Sequence, residues 1–188
     1  MTPCFDVIVL AGGVARRFGS DKLALLLDRV LDGLPDDART VVCAGPARPT
    51  RRSGVRWVRE DPPLGGPLAG LAAGVPLTTS AVVVVVGGDM PDVGRAVPAL
   101  VSAAHETHRP ALLLDAGGRR QPLASAWPRA LLQAALERIG PPSGRPLRDL
   151  LAEVAATPLA DVPDAWGAAR DVDVPDDLSA PDRRAPRG

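Results

Sequence analysis

The sequence predicts an α/β fold with a mostly parallel sheet covered by helices on both faces. Three observations carry this. Short apolar segments alternate with stretches of helical spacing, the pattern of βαβ units. The clearest apolar segment, Ala81–Val86, holds five consecutive valines, as a strand buried on both faces would. Gly and Pro, 19 and 21 residues respectively, fall between these segments and so mark connections within a folded chain.

Taken in order, Phe5–Leu10 is a nearly continuous apolar run with one Asp that ends in Ala-Gly-Gly, a buried strand. Asp21–Leu34 reads as a helix stopped by Pro35. Thr40–Ala44 is a second strand closed by Gly45-Pro46, and Val55–Val58 a short third. Gly65–Val75, small and apolar, is a loop running into a helix. Ala81–Val86 is followed by Gly87-Gly88-Asp89, and Val97, Leu100, Val101 and Ala104 give Arg95–Thr107 helical spacing. Ala111–Asp115 and Leu123–Trp127 read as strands, with a turn at Gly117-Gly118. Pro128–Ile139 and Leu147–Ala156 read as helices, and Ala169–Val172 as a last strand. The 188 residues are expected to form one domain over 1–180, with 181–188, rich in Pro and Arg, as a frayed tail.

Composition narrows the function. Twenty-two Lys and Arg balance 22 Asp and Glu, which argues against a general nucleic-acid binder. Aromatic residues are 3% of the chain with no Tyr, so stacking platforms for single strands are not expected. Cys4 and Cys43 lack metal-ligand spacing and read as free thiols of a cytoplasmic protein. No signal peptide is recognised, and the longest apolar run is far below the ~20 residues of a membrane span.

Of the 22 Lys and Arg residues only Lys22 is a lysine. An ammonium is a compact point charge suited to one phosphate oxygen, whereas guanidinium is a wide planar fork. Lys22 closes LAGGVARRFGSDK, which follows the first strand. Gly12 and Gly13 would let the backbone adopt positive φ and bring N–H groups to an anion, with Arg17 and Lys22 adding mobile charge. The segment is neither GxxxxGK[ST] nor GxGxxG. Its plain alternative is a strand–turn–helix connection with surface arginines.

Three further segments fit a nucleotide site. Asp89, in Gly87-Gly88-Asp89-Met90-Pro91, stands just past the valine strand. It is either a turn Asp bonded to its own backbone or a ligand for Mg2+ carried by a triphosphate. The phosphate loop at another strand end favours the metal. PPLGGPLAG, Pro62–Gly70, offers almost nothing but backbone, so Gly66, Pro67 and Leu68 would present N–H and C=O groups to a flat base or simply lead into a helix. Glu60 and Asp61 before it are surface charges or contacts to ribose or base. Near the end, Asp171 and Asp173 are either an acidic helix start or, for Asp173, a second acid near the metal. Asp176 and Asp177 read as a helix start, and His105 and His108 as surface residues.

The order LAGGVARRFGSDK, PLGGPLAGLAAG, GGDMP, DVDVPDDL resembles the MobA-like nucleotidyltransferases, most closely the molybdenum cofactor guanylyltransferases, over roughly Val7–Leu178. The resemblance implies a Rossmann-like three-layer α/β/α sandwich that transfers GMP from GTP to the terminal phosphate of molybdopterin and releases pyrophosphate, with Mg2+ as cofactor. It places Leu10, Ala11, Gly12 and Gly13 in the GTP site, Lys22 on the phosphates, Asp61 on the nucleotide and Asp89 on nucleotide and metal. It also implies a monomer or weak oligomer. GPLAG favours GTP over CTP. A related transferase with another base or phosphorylated acceptor, or an inactive nucleotide-binding regulator, are the alternatives. Three departures stand out. Ala15 replaces a common Ser, and Cys43 occupies a nucleotide-contacting position where Asn is frequent. DKLAL also runs straight into LLDRVL, where the family has a further Gly-containing stretch. The last leads to the expectation that a segment is missing at Leu25–Leu26, with a Cα separation well beyond ~3.8 Å.

Overall fold

The structure is a computed structural model and describes residues 3–12 and 20–169, for residues 20–25 the backbone alone. Seven strands, β1 (Phe5–Leu10), β2 (Thr40–Ala44), β3 (Arg56–Val58), β4 (Val82–Gly87), β5 (Ala111–Leu114), β6 (Arg120–Pro128) and β7 (Ala160–Pro163), form one sheet in the order β3-β2-β1-β4-β6-β5-β7. The helices are α1 (Ser20–Gly33), α2 (Pro67–Gly74), α3 (Val97–Thr107), α4 (Arg129–Ile139) and α5 (Arg148–Glu153). The first four strands run parallel, β6 runs antiparallel to both neighbours, and β7 is parallel to β5. The expected α/β class with a mostly parallel sheet is what the chain adopts.

Period-two alternation sorts the strand side chains into two cores. Phe5, Val7, Val9, Val82, Val84 and Val86 pack with Leu27, Val30 and Leu31 of α1 and Val97, Leu100 and Val101 of α3. Ile8, Val83 and Val85 face Leu68 and Leu71 of α2, Leu132 of α4 and Leu150 of α5. A helical layer on each side of the sheet explains why β4 is valine almost throughout: neither face meets water. Each fully buried Val or Leu contributes about 1.5–3 kcal/mol.

Several expectations change. The last strand is Ala160–Pro163, whereas Ala169 lies in a turn whose N–H donates to Asp164 (2.8 Å), as do those of Trp166 and Ala168; residues 170–172 lie outside the described residues. A side-chain acceptor that binds three loop amides competes with strand pairing there. Strand β6 begins at Arg120, earlier than Leu123, because the Gly117-Gly118 turn closes a hairpin with β5, and so short a connection can only join antiparallel strands. Helix α1 runs unbroken through Leu25 and Leu26, so the expected wide Cα separation is not observed there. Helix α3 also starts later than Arg95, at Val97, with Pro98 in its first turn where a missing N–H is harmless. A 3-10 turn, Val93–Ala96, precedes it.

Cys43 belongs to the core and not to a nucleotide surface. Alternation turns its side chain to the α1 and α3 side, where it is fully buried, and burial pushes its thiol up to about 12. Cys4 is exposed. Asp6, the acid inside β1, is also fully buried; its Oδ2 accepts the Thr79 and Ser80 N–H groups at 2.6 and 2.7 Å, tying the turn before β4 to β1. Among the described residues no helix is long and apolar enough to cross a membrane.

Two outcomes follow from this interior. A thiol reagent should titrate one cysteine in the native protein and both after denaturation, with the native count unchanged between about pH 7 and 9, below the raised value of the buried thiol; fast modification of Cys43 would contradict its placement. Asp6→Ala leaves two backbone donors without their acceptor and should cost about 2–4 kcal/mol, read as a lower urea midpoint with an unchanged slope.

Candidate functional site

The carboxyl ends of β1, β2, β3 and β4 are stitched together by single backbone hydrogen bonds. Ala11 N–H donates to Ala44 O (2.9 Å), Gly88 N–H to Leu10 O (3.1 Å), and Gly45 N–H to Val58 O (2.8 Å). The approach leaves no room for a side chain at Gly45 and little at Gly88. A Cβ on Gly45 would fall 2.8 Å from the Ala11 carbonyl carbon and oxygen, and one on Gly88 would fall 3.2 Å from Leu10 O. Gly12 differs. It is exposed, its φ is not positive, and a Cβ there would meet nothing closer than Ala44 O at 3.5 Å. The positive φ expected at Gly12 is therefore not observed, because β1 leaves the sheet in ordinary backbone geometry. A side chain at Gly12 would make only ordinary contacts, with Ala44 O, Gly45 Cα and Glu60 Oε1.

The β4 exit supplies the carboxylate. Gly87 closes the strand, Gly88 touches β1, and Asp89 follows, half-buried, in a turn with Met90 N–H donating to Gly87 O (3.4 Å). The Asp89 carboxylate lies against Gly87, where an added Cβ would be 2.7 Å from Oδ1. Glycine at 87 thus lets Asp89 fold over the strand end, and glycine at 88 brings that end to Leu10 and Ala11. Among the described residues no three His, Cys, Asp or Glu side chains cluster as a metal cage. Mg2+ needs no such cage when substrate phosphates and water complete its shell, and one or two carboxylates suffice. Asp89 fits that role.

The third wall is the connection from β3 to α2. Glu60 is buried, and its Oε1 accepts the Leu64 N–H (3.0 Å). Asp61 is exposed and joined to Pro62 by a cis peptide bond. Gly66 precedes the helix at φ 88 and ψ −179, a conformation open to glycine alone. Gly65 O accepts the Gly144 N–H (2.8 Å), so the α4–α5 connection buttresses this loop. Helix α2 then lies close on the strand ends, a Cβ on Gly70 being 3.5 Å from Ala44 Cβ and 3.6 Å from Leu10 Cδ2. Leu68 points into the core and Pro67 is exposed. The first N–H groups of a helix have no acceptor within it, so Leu68 and Ala69 offer backbone and not side chains at this entry.

Leu10, Ala11, Gly12, Asp61, Gly66, Pro67, Leu68 and Asp89 therefore all belong to the carboxyl-terminal edge of the sheet, where α/β sheets bind ligands. The Lys22 backbone is in the first turn of α1; its side chain, and the whole of Gly13, Arg17, Asp171, Asp173, Asp176 and Asp177, lie outside the described residues. His105 and His108 are exposed at the end of α3 with ring centroids 6.3 Å apart. Two features escape a reading of the sequence. Gly45 looks like a mere strand end, although its pairing with Pro46 is the available signal. The burial of Glu60 has none, because an acid beside another acid reads as surface.

The comparisons agree with this geometry. The MobA-like NTP transferase domain matches residues 7–157. No curated protein matches the chain. Among solved structures, the chain is similar to 2-C-methyl-D-erythritol 4-phosphate cytidylyltransferase from Thermus thermophilus, with 21% identity, TM-score 0.66 and coverage of 95% of this chain and 96% of that one. It is also similar to molybdopterin-guanine dinucleotide biosynthesis protein A from Archaeoglobus fulgidus, with 21% identity, TM-score 0.65 and coverage of 93% and 95%. A third, Rv0371c from Mycobacterium tuberculosis, has 17% identity, TM-score 0.69 and coverage of 95% and 97%. At these identities the structural likeness concerns the fold. The family match spans most of the chain, and with it the chain belongs to the MobA-like NTP transferase family.

Proposed function

We propose that the protein transfers GMP from GTP to the terminal phosphate of molybdopterin, as a cytoplasmic molybdenum cofactor guanylyltransferase, and releases pyrophosphate. The observation that carries this reading is the close backbone seam of Leu10–Gly12, Gly45 and Gly88, with Asp89 at one end and the entry to α2 at the other. GPLAG at that entry, Gly66–Gly70, favours a purine slot. The likeness to a cytidylyltransferase keeps CTP as the second reading.

The chemistry is displacement at the α-phosphorus. A phosphate oxygen of the acceptor attacks, and the bond to the pyrophosphate oxygen breaks. The attacking phosphate is already ionised, so no general base is needed. Backbone from Leu10, Ala11 and Gly12 would line the nucleotide, and Asp61, exposed beside the slot, would hold its sugar or base. Lys22 would neutralise charge that builds on the phosphates, with Arg17 and Gly13 completing the loop. Asp89, with Asp173 as a second acid, would hold Mg2+, which supplies charge compensation for the triphosphate. Catalysis of this kind rests on positioning and charge. A neutral chain without aromatic platforms suits small-molecule partners and no nucleic acid.

Calorimetric titration of GTP, CTP, ATP and UTP with Mg2+ tests the base. GTP alone should bind; CTP binding in its place would replace this reading with the cytidylyl one. Lys22→Arg should retain nucleotide binding and lose on the order of 10²–10³-fold in turnover, and near-parental turnover would remove Lys22 from the chemistry. Asp89→Ala should abolish Mg2+-dependent turnover while the melting temperature stays within a few degrees. An unchanged dependence on Mg2+ concentration in that variant would exclude Asp89 as the ligand.

A further inference from the structure

Among the described residues at the site, Glu60 is a carboxylate whose environment inside the protein is incomplete. It is 7% exposed. Oε1 is held by the Leu64 N–H (3.0 Å), while Oε2 is buried with no hydrogen-bond partner, and no ion pair to Glu60 is found among the described residues. A buried acceptor left unsatisfied is costly, more so when charged. Such groups are rare and point to a missing partner. The carboxylate also stands at the slot itself, since a Cβ on exposed Gly12 would be 3.9 Å from Oε1. It therefore sits between the β1 exit and the loop into α2, with the missing donor still to come.

We propose that Glu60 reads the edge of the nucleobase and selects guanine by accepting its N1–H and 2-amino donors; this rests on the guanylyltransferase reading above. Guanine alone among the four bases presents two adjacent donors on its pairing edge. Adenine and cytosine place an acceptor next to their amino group, and uracil flanks its single N–H with two carbonyls. A carboxylate has only lone pairs to offer, so it rewards guanine and repels the acceptors of the other three. The Leu64 amide fixes the carboxylate plane through Oε1, the oxygen beside Gly12, and Oε2 is the acceptor left without a partner. Leu64 itself is 65% exposed at φ 67, an unfavourable backbone state for a leucine that turns its N–H back onto Glu60. A bond from a carboxylate shielded from water is stronger than one in solvent.

The test compares GTP, ITP (no 2-amino group) and XTP (a carbonyl in its place) by calorimetry with Mg2+, in the parent and in Glu60→Gln. In the parent, GTP should bind at least about tenfold tighter than ITP, the weight of one hydrogen bond to a charged group. In the variant the Leu64 N–H holds the amide oxygen, so the amide NH2 takes the place of Oε2 and donates. GTP should weaken, XTP should tighten, and the GTP-to-XTP preference should fall by at least about tenfold. A structural lesion would weaken both nucleotides and could not produce the gain for XTP. Equal GTP and ITP affinity in the parent overturns the role of Glu60 even if the variant does not fold, and so does an unchanged GTP-to-XTP preference in a folded variant. GTP binding without this discrimination sinks the Glu60 proposal alone, whereas a parent that binds CTP and not GTP sinks the guanylyltransferase reading together with it.

Discussion

The contact on which the site depends is that of Gly45 with Ala11 and Gly12. It lets the main chain leaving β2 lie directly on the main chain leaving β1, with a gap too narrow for a methyl group. Gly88 stands nearly as close from the β4 side, where a Cβ would fall 3.2 Å from Leu10 O, and α2 lies at ordinary contact distance from Ala44 Cβ and Leu10 Cδ2 at Gly70. Three strand ends thus meet through backbone. A surface made this way presents N–H and C=O groups at fixed spacing and cannot be crowded by rotamers. It can follow the outline of a phosphate chain or a base edge more closely than side chains allow. The cost in chain entropy of so many glycines is offset by the cores on both sides of the sheet, which hold these strands independently of the loops.

The charges divide in a related way. The arginines whose partners are defined act as planar forks within the fold. Arg52 donates to the carbonyls of Leu31, Leu34 and Pro35 and so closes the end of α1. Arg51 pairs with Asp28 and Asp32. Arg120 binds Asp161 with two hydrogen bonds, which holds the Asp161 carboxyl below its ordinary range, and Arg138 reaches Glu153. These exposed pairs are worth little each, but Arg52 and Arg120 show a use of guanidinium that an ammonium cannot copy: multidentate contact with carbonyls and with a carboxylate. A lone ammonium in such a chain is set apart by its chemistry as well as by its rarity.

Much of the fold is legible in the sequence because burial on both faces leaves a direct trace. The valines of β4 and the run Phe5–Leu10 can be read for that reason. So can the glycines at 87 and 88, since a strand end followed by Gly-Gly-Asp has few other uses. The direction of β6 is harder, although the short Gly117-Gly118 turn contains it. Cys43 is misplaced by the resemblance because a position inferred that way says nothing of which face a strand residue takes, and alternation turns the thiol inward. The true seventh strand hides because Ala160–Pro163 is short, half exposed and closed by a proline, while Ala169–Val172 looks equally strand-like. Glu60 is legible only as charge. Its burial depends on the Leu64 amide reaching back across the turn, which no local pattern announces.

The unbroken α1 bears on the site in a way the family resemblance alone would not suggest. Where a further stretch separates the Asp-Lys pair from the helix, the lysine belongs to a loop. Here Lys22 belongs to the first turn of a helix that is fixed in the core by Leu26, Leu27, Val30 and Leu31 and clamped at its far end, where Gly94 presses on the Gly33 carbonyl. Leu27 reaches the seam, its Cδ1 lying 3.6 Å from where a Cβ on Gly88 would be, and Lys22 stands roughly 7.5 Å further along the axis at ~1.5 Å per residue. The helix N-terminus carries its own partial positive charge in the same place. The backbone that bears the ammonium is thus positioned by the same packed element that touches the Asp89 turn, and a charge borne by a rigid helix is held more tightly than one on a loop.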